Sequence, residues 1–145
     1  MSVASQGARG PELLAYAKVA QQSYERCLLA PDFFAYLYDR LLASDPRIPP
    51  MFAKTEFPRQ YRLLQHGVGL LLIYARRADD ELLERIAARH SPRGLNVEPA
   101  MYENFVASLL SAVRRADPQC SAEVEDAWRQ ALGPGLAFMS SKHGA

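Results

Sequence analysis

With 145 residues, 49% of them apolar and 23% charged, the chain has the size and composition of one globular domain, able to bury roughly 68–70% of its unfolded surface. A net charge of +1 leaves no electrostatic footprint for nucleic acid or an anionic membrane. The opening residues are small and polar with no apolar leader segment, and the longest apolar run, Leu70–Ala75, falls far short of the roughly 20 residues a membrane span needs, so a cytoplasmic location is expected.

Helical periodicity dominates, and hairpin-bounded alternation is missing. Residues 1–10 are expected to be frayed, ahead of one domain over residues 11–141 and a tail over 142–145. Pro11 suits a first helical position, and Leu13, Leu14, Ala17, Tyr24, Leu28 and Leu29 predict a helix to about Leu29. Pro31-Asp32 breaks it. Phe33, Phe34, Leu37, Tyr38, Leu41 and Leu42 recur at i, i+3, i+4 and predict a second helix to Ala43. Ser44-Asp45-Pro46 reads as a cap with proline opening a third, short element, which ends near Phe52.

A long helix is predicted from Glu56 to Arg76, buried through Phe57, Leu63, Leu64, Val68, Leu71 and Leu72. The next runs from Asp79 to His90, its acidic start favoured by the helix dipole, with Leu82, Leu83, Ile86 and Ala87 inward. Ser91–Pro99 is an irregular loop broken by Pro92, Gly94 and Pro99. Two last helices span Pro99 to Ala116 and Ser121 to Met139, the latter with a kink expected at Gly133-Pro134-Gly135. Cys27 and Cys120 match neither zinc nor redox spacings and are read as free thiols. Six to eight helices with short connections define an all-α fold. Periodicity alone leaves a four-helix bundle and a globin-like packing both open.

Three local patterns decide between them. The first is Phe34-x-x-x-Tyr38-Asp39-Arg40-Leu41-Leu42-x-x-x-Pro46-x-x-x-x-Met51-Phe52. The second is Gln60-x-x-x-Leu64 in the long helix. The third is Ile86-Ala87-Ala88-Arg89-His90 ending a helix, with Tyr102 opening the next. Their order and spacing resemble the bacterial single-domain globins and the globin domain of flavohaemoglobins, over about residues 15–140.

That resemblance implies a globin fold with a haem. Tyr38 matches the distal tyrosine, Phe52 the phenylalanine stacked on the porphyrin, Gln60 the distal polar residue, Leu64 the apolar residue over the iron, and His90 the proximal iron ligand. Tyr102 is a candidate for the tyrosine that polarises the proximal histidine, and Trp128 matches a tryptophan of the last helix. The distal register stays open: a shift by one residue brings in Arg59 and Leu63, and His66-Gly67-Val68 offers a third alternative. The last helix lacks the glutamate that would push the proximal histidine, so a peroxidase-like iron is not expected.

The chemistry has its own logic. A haem needs one strong axial donor and an apolar slot, and neutral imidazole is the globin choice. A helix-terminal histidine such as His90 can present its ring to a cofactor beside the helix. The distal side needs only one or two hydrogen-bond donors in a dry pocket, which Tyr38 and Gln60 supply while Leu64, Val68 and Phe52 exclude water. With no C-x-x-C-H, the expected cofactor is haem b held without covalent attachment. The resemblance implies binding of O2, NO or CO, by a monomer or homodimer. NO dioxygenation or a peroxidase-like side activity would need an external reductase, since no reductase domain follows here. The alternatives are a gas or redox sensor, a haem-free globin-fold interaction module, which a histidine at position 90 argues against, and an unrelated helical bundle, which predicts no deep apolar pocket beside His90.

Overall fold

A computed structural model of the chain describes residues 9–90 and 97–143. The order of elements is α1 (Pro11–Cys27), α2 (Phe33–Ser44), a short 3-10 helix (Pro49–Phe52), α3 (Phe57–Arg76), α4 (Glu81–His90), α5 (Pro99–Ala116) and α6 (Ala122–His143), with no strand among the described residues. The all-α architecture expected from the sequence is what forms. Prolines sit in the first turns of α1, α3 and α5, where the missing N–H would have no helical partner anyway.

The helix α6 is the hub: α1, α3 and α4 all pack on it, while α2 packs on α5. The core at these crossings contains Ala17, Ala20, Leu37, Val68, Leu72, Leu83, Leu109, Leu110, Val113, Trp128 and Leu132, all buried. The helix α6 continues through Pro134. Two glycines flank that proline. Gly133 removes the Cβ that would press on the proline ring in a helical conformation. At Gly135 a Cβ would lie 2.5 Å from Leu71 Cδ2 and 3.3 Å from Leu83 Cδ1, so a side chain here would have to displace the Leu71 tip where α6 meets α3 and α4.

A buried polar knot ties the start of the chain to its end. Trp128 Nε1 donates to Ser23 Oγ at 2.9 Å, and Ser23 donates on to Asp117 Oδ2 at 2.6 Å. Arg26 grips both oxygens of Asp117, at 2.6 and 2.9 Å, and the Gln119 amide adds a bond at 2.8 Å. Tyr24 meets Trp128 edge-on and donates to the Gln65 carbonyl. Burial pulls the Asp117 carboxyl upward, yet the bonds from Arg26, Ser23 and Gln119 outweigh it and hold the group below its ordinary range.

Three local expectations are corrected. The first helix ends at Cys27, and Leu29 lies 84% exposed in the following turn, because Pro31 leaves no room for another helical turn. Ser44 closes α2, its hydroxyl turned back onto the Leu41 carbonyl, and caps nothing. Asp45 shapes the turn between the two elements instead, accepting from the Arg47 amide at 2.8 Å, and the short element starts at Pro49 as a 3-10 turn with no side-chain cap. The last helix runs on past Met139 to His143. The frayed start expected for residues 1–10 lies mostly outside the described residues, although Arg9 reaches the Tyr74 carbonyl at 2.7 Å. Most of the irregular loop Ser91–Pro99 lies outside them too.

Candidate functional site

The helices α2, α3, α4, α5 and α6 and the 3-10 turn enclose a deep cavity of about 520 Å³, within the range of small-molecule and cofactor sites. Its walls are mostly aliphatic and aromatic: Leu41, Ile48, Phe52, Leu64, Leu71 and Phe105 are among them. All seven candidate site residues, Tyr38, Phe52, Gln60, Leu64, Val68, His90 and Tyr102, line this one cavity.

His90 ends α4 and is partly buried. Its Nδ1 lies 2.8 Å from the Ile86 carbonyl, one turn back. A carbonyl only accepts, so Nδ1 carries the proton and Nε2 keeps its lone pair. Burial, with Arg89 nearby, lowers the basicity of the ring despite that carbonyl contact, so the imidazole is held neutral. This is the tautomer and charge state that a metal-ligating histidine requires.

Tyr38 and Gln60 form the polar end of the cavity. Gln60 Nε2 donates to Tyr38 Oη at 2.9 Å, so the phenol acts as acceptor toward Gln60 and its own proton is free for another partner. Burial raises the Tyr38 pKa to about 12, which keeps it a donor at any ordinary pH. Its ring is fixed by edge-on contacts with Phe52 and Phe57, at 5.6 and 5.5 Å, and a tilted one with Tyr61 at 5.7 Å. Such pairs prefer offset and edge-to-face geometry.

The three distal alternatives separate by position. Gln60 lines the cavity, and so do both Leu63 and Leu64; Arg59 and His66 are exposed and do not. Tyr102 lines the cavity with its pKa pushed up to about 12 by burial, and its hydroxyl makes no hydrogen bond to His90 among the described residues. Trp128 is fully buried in the polar knot and is not part of the cavity wall. Residues not singled out from the sequence complete the wall, chiefly Met101 and Phe105 on α5 and Leu136 and Met139 on α6. Their i, i+4 and i, i+3 spacings were the available signal, but core residues carry the same one.

The globin family model matches residues 35–137. A crystal structure from Pseudomonas aeruginosa PAO1, of a protein described as structurally highly homologous to a human hemoglobin, superposes with a TM-score of 0.87 at 38% identity, covering 90% of this chain and 99% of that one. A search of curated proteins gives no match. An all-α fold around one deep apolar cavity, with a neutral histidine and a tyrosine–glutamine pair in its wall, thus coincides with a family match over most of the chain. The chain belongs to the globin family, whose fold generally binds haem.

Proposed function

We propose that this chain holds a non-covalent haem b in the cavity, with His90 as its axial ligand, and that it binds a diatomic gas, O2, NO or CO. The carrying observation is the His90 ring: its Nδ1 proton is committed to the Ile86 carbonyl, which leaves the Nε2 lone pair available on a residue that lines a mostly apolar cavity. The donor set fits this group. One imidazole and apolar walls suit a porphyrin that brings its own four nitrogens. A protein-only metal site is not supported, as no group of three or more His, Cys, Asp or Glu residues clusters among the described residues.

Phe52, Leu64 and Val68 would pack against the macrocycle and keep water out. Bound there, the haem supplies an iron that takes a diatomic gas. Tyr38 would present its unused proton to that gas, and Gln60 would hold the phenol in place. Stabilising a polarised ligand in a dry pocket by preorganised donors is an effective use of two hydrogen bonds. Redox turnover, such as NO dioxygenation, would require electrons from an external reductase. No helix of the described residues is long and apolar enough to cross a membrane, in keeping with a cytoplasmic working place.

Absorption spectroscopy of the purified chain, with haem added, tests the reading. A Soret band with ferrous and CO-bound forms typical of histidine ligation is expected. His90→Gly should lose that signature, and added imidazole should restore it. A chain that gives no Soret band after haem addition refutes the proposal. A His90→Gly spectrum identical to the parent removes His90 as the ligand.

A further inference from the structure

The cavity has a neighbour. Helices α5 and α6 leave a groove of about 290 Å³ between them, with Pro99, Tyr102 and Val106 on one side and Leu132, Leu136 and Ser140 on the other. Tyr102 and Leu136 also line the large cavity, so these two side chains form a partition with open space on both faces. Ala137 lines the groove and not the cavity.

The two ends of the groove differ in what they leave unsatisfied. Arg129 and Ser140 both line it and stand three turns apart on α6, about 16 Å along the helix axis. At the Arg129 end the guanidinium donates to Glu103 at 3.1 Å, and the pair cancels in charge. Toward the other end lie two hydroxyls, that of Tyr102, which shares the partition with Leu136, and that of Ser140, one turn past Leu136. Neither has a hydrogen-bond partner among the described residues. Tyr102 is only 9% exposed, and a buried hydroxyl without a partner is unfavourable. Its oxygen is not sealed in by packing, because Arg9 Nε is the one fully enclosed side-chain polar atom lacking a partner among the described residues. The phenol therefore meets open space, and with its pKa pushed up to about 12 by burial it stays a donor. Pro99 brings the first turn of α5 to the groove, and the N-cap Glu98 supplies no side-chain cap there. The Glu98 carboxylate is engaged instead by Arg47 at 2.8 Å. An uncapped helix start favours negative charge.

We propose that the groove is a second ligand site, which takes a small aromatic monocarboxylate: the carboxylate accepts from Tyr102 and Ser140, and the ring lies on Val106, Leu132 and Leu136. A carboxylate only accepts, which matches an end that offers two hydroxyl donors beside a helix N-terminus. The apolar floor suits a ring, which loses less freedom on binding than an alkyl chain of equal size. A second negative charge on the ligand would face Glu103 at the far end, so a single acid group fits best. An occupant presses on Tyr102 and Leu136 from the side away from the cavity, which makes the groove an effector site. The site stands on its own geometry and does not depend on the haem reading.

Fluorine NMR titration of the purified chain with para-fluorobenzoate tests the site. Saturable binding with a dissociation constant on the order of 1 mM is expected. Tyr102→Phe should weaken it about 10-fold, and Ser140→Ala about 3- to 10-fold. Ala137→Phe, which fills the groove without entering the cavity wall, should abolish it. Ala122→Phe, at an exposed position in the first turn of α6, should leave it unchanged. Circular dichroism checks that each variant is folded. No saturable binding by the parent overturns the inference. Binding that survives Ala137→Phe does so too, since it would place the acid in the cavity or elsewhere. Equal affinity for the neutral para-fluorobenzyl alcohol overturns the assignment to a carboxylate.

Discussion

Replacing Tyr38 by phenylalanine isolates one proton. The edge-on contacts of the ring with Phe52 and Phe57, at 5.6 and 5.5 Å, survive the change, so packing is retained. The fold loses only the 2.9 Å bond from Gln60, about 0.5–1.5 kcal/mol, too little to unfold a domain of ordinary stability, about 5–15 kcal/mol. On the proposed reading, a bound, polarised O2 would lose its phenol donor. A hydrogen bond to a charged group is worth about 1.5–3 kcal/mol, and each 1.4 kcal/mol is about tenfold in rate or affinity. The freed Gln60 amide can turn and take over part of the role, so Tyr38→Phe should raise the O2 dissociation rate about 10-fold. Tyr38→Phe/Gln60→Leu, with no substitute donor, should raise it about 100-fold. Stopped-flow replacement of O2 by CO measures both. CO is the weaker acceptor, so its own dissociation should change much less. An O2 rate unchanged in the double variant would refute the distal role of this pair.

Other outcomes follow from the framework. Asp117→Asn should cost about 2–3 kcal/mol in urea denaturation, at the low end for a buried ion because Arg26 is 23% exposed and can turn to solvent. Since the Asp117 carboxyl is held below its ordinary range in the fold, its stabilisation is complete above about pH 3.9 and disappears as pH falls through the lowered value. Acid unfolding of Asp117→Asn should therefore show less pH dependence there than the parent. Ser23→Ala should cost about 1–3 kcal/mol by leaving the Trp128 indole N–H buried without a partner. Gly135→Ala gains about 1 kcal/mol of helix propensity and loses about 1–3 kcal/mol to overpacking against Leu71, 2.5 Å away. A net loss of about 1 kcal/mol in thermal denaturation is expected, with ligand binding altered because Leu71 lines the cavity.

Much of the cavity was legible because three short patterns, taken in order and spacing, resemble the bacterial single-domain globins, whereas helical periodicity alone gave only the buried stripes. That resemblance put Tyr38 and Phe52 in one pocket, and α4 announced itself by acids at its start and His90 at its end. The Gln60 register was open because one residue of rotation moves a side chain by 100°. Only packing against α2, where Gln60 meets Tyr38, separates it from Arg59. The polar knot left no trace at all. Ser23, Asp117 and Trp128 lie 94 and 105 positions apart along its two long bonds, and each residue alone has an ordinary local explanation. Ser44 misled for a related reason: a hydroxyl before a proline suits a helix start or a helix end equally well until its acceptor is known.

The knot has a consequence for how such a chain can change. Ser23, Asp117 and Trp128 tie α1 to the end of α5 and to α6, and none of the three lines the cavity. Anchorage and chemistry are therefore carried by separate sets of side chains. Substitutions at positions 38, 52, 60 and 64 can retune what the interior prefers to hold, while the clamp keeps the scaffold closed around each new version.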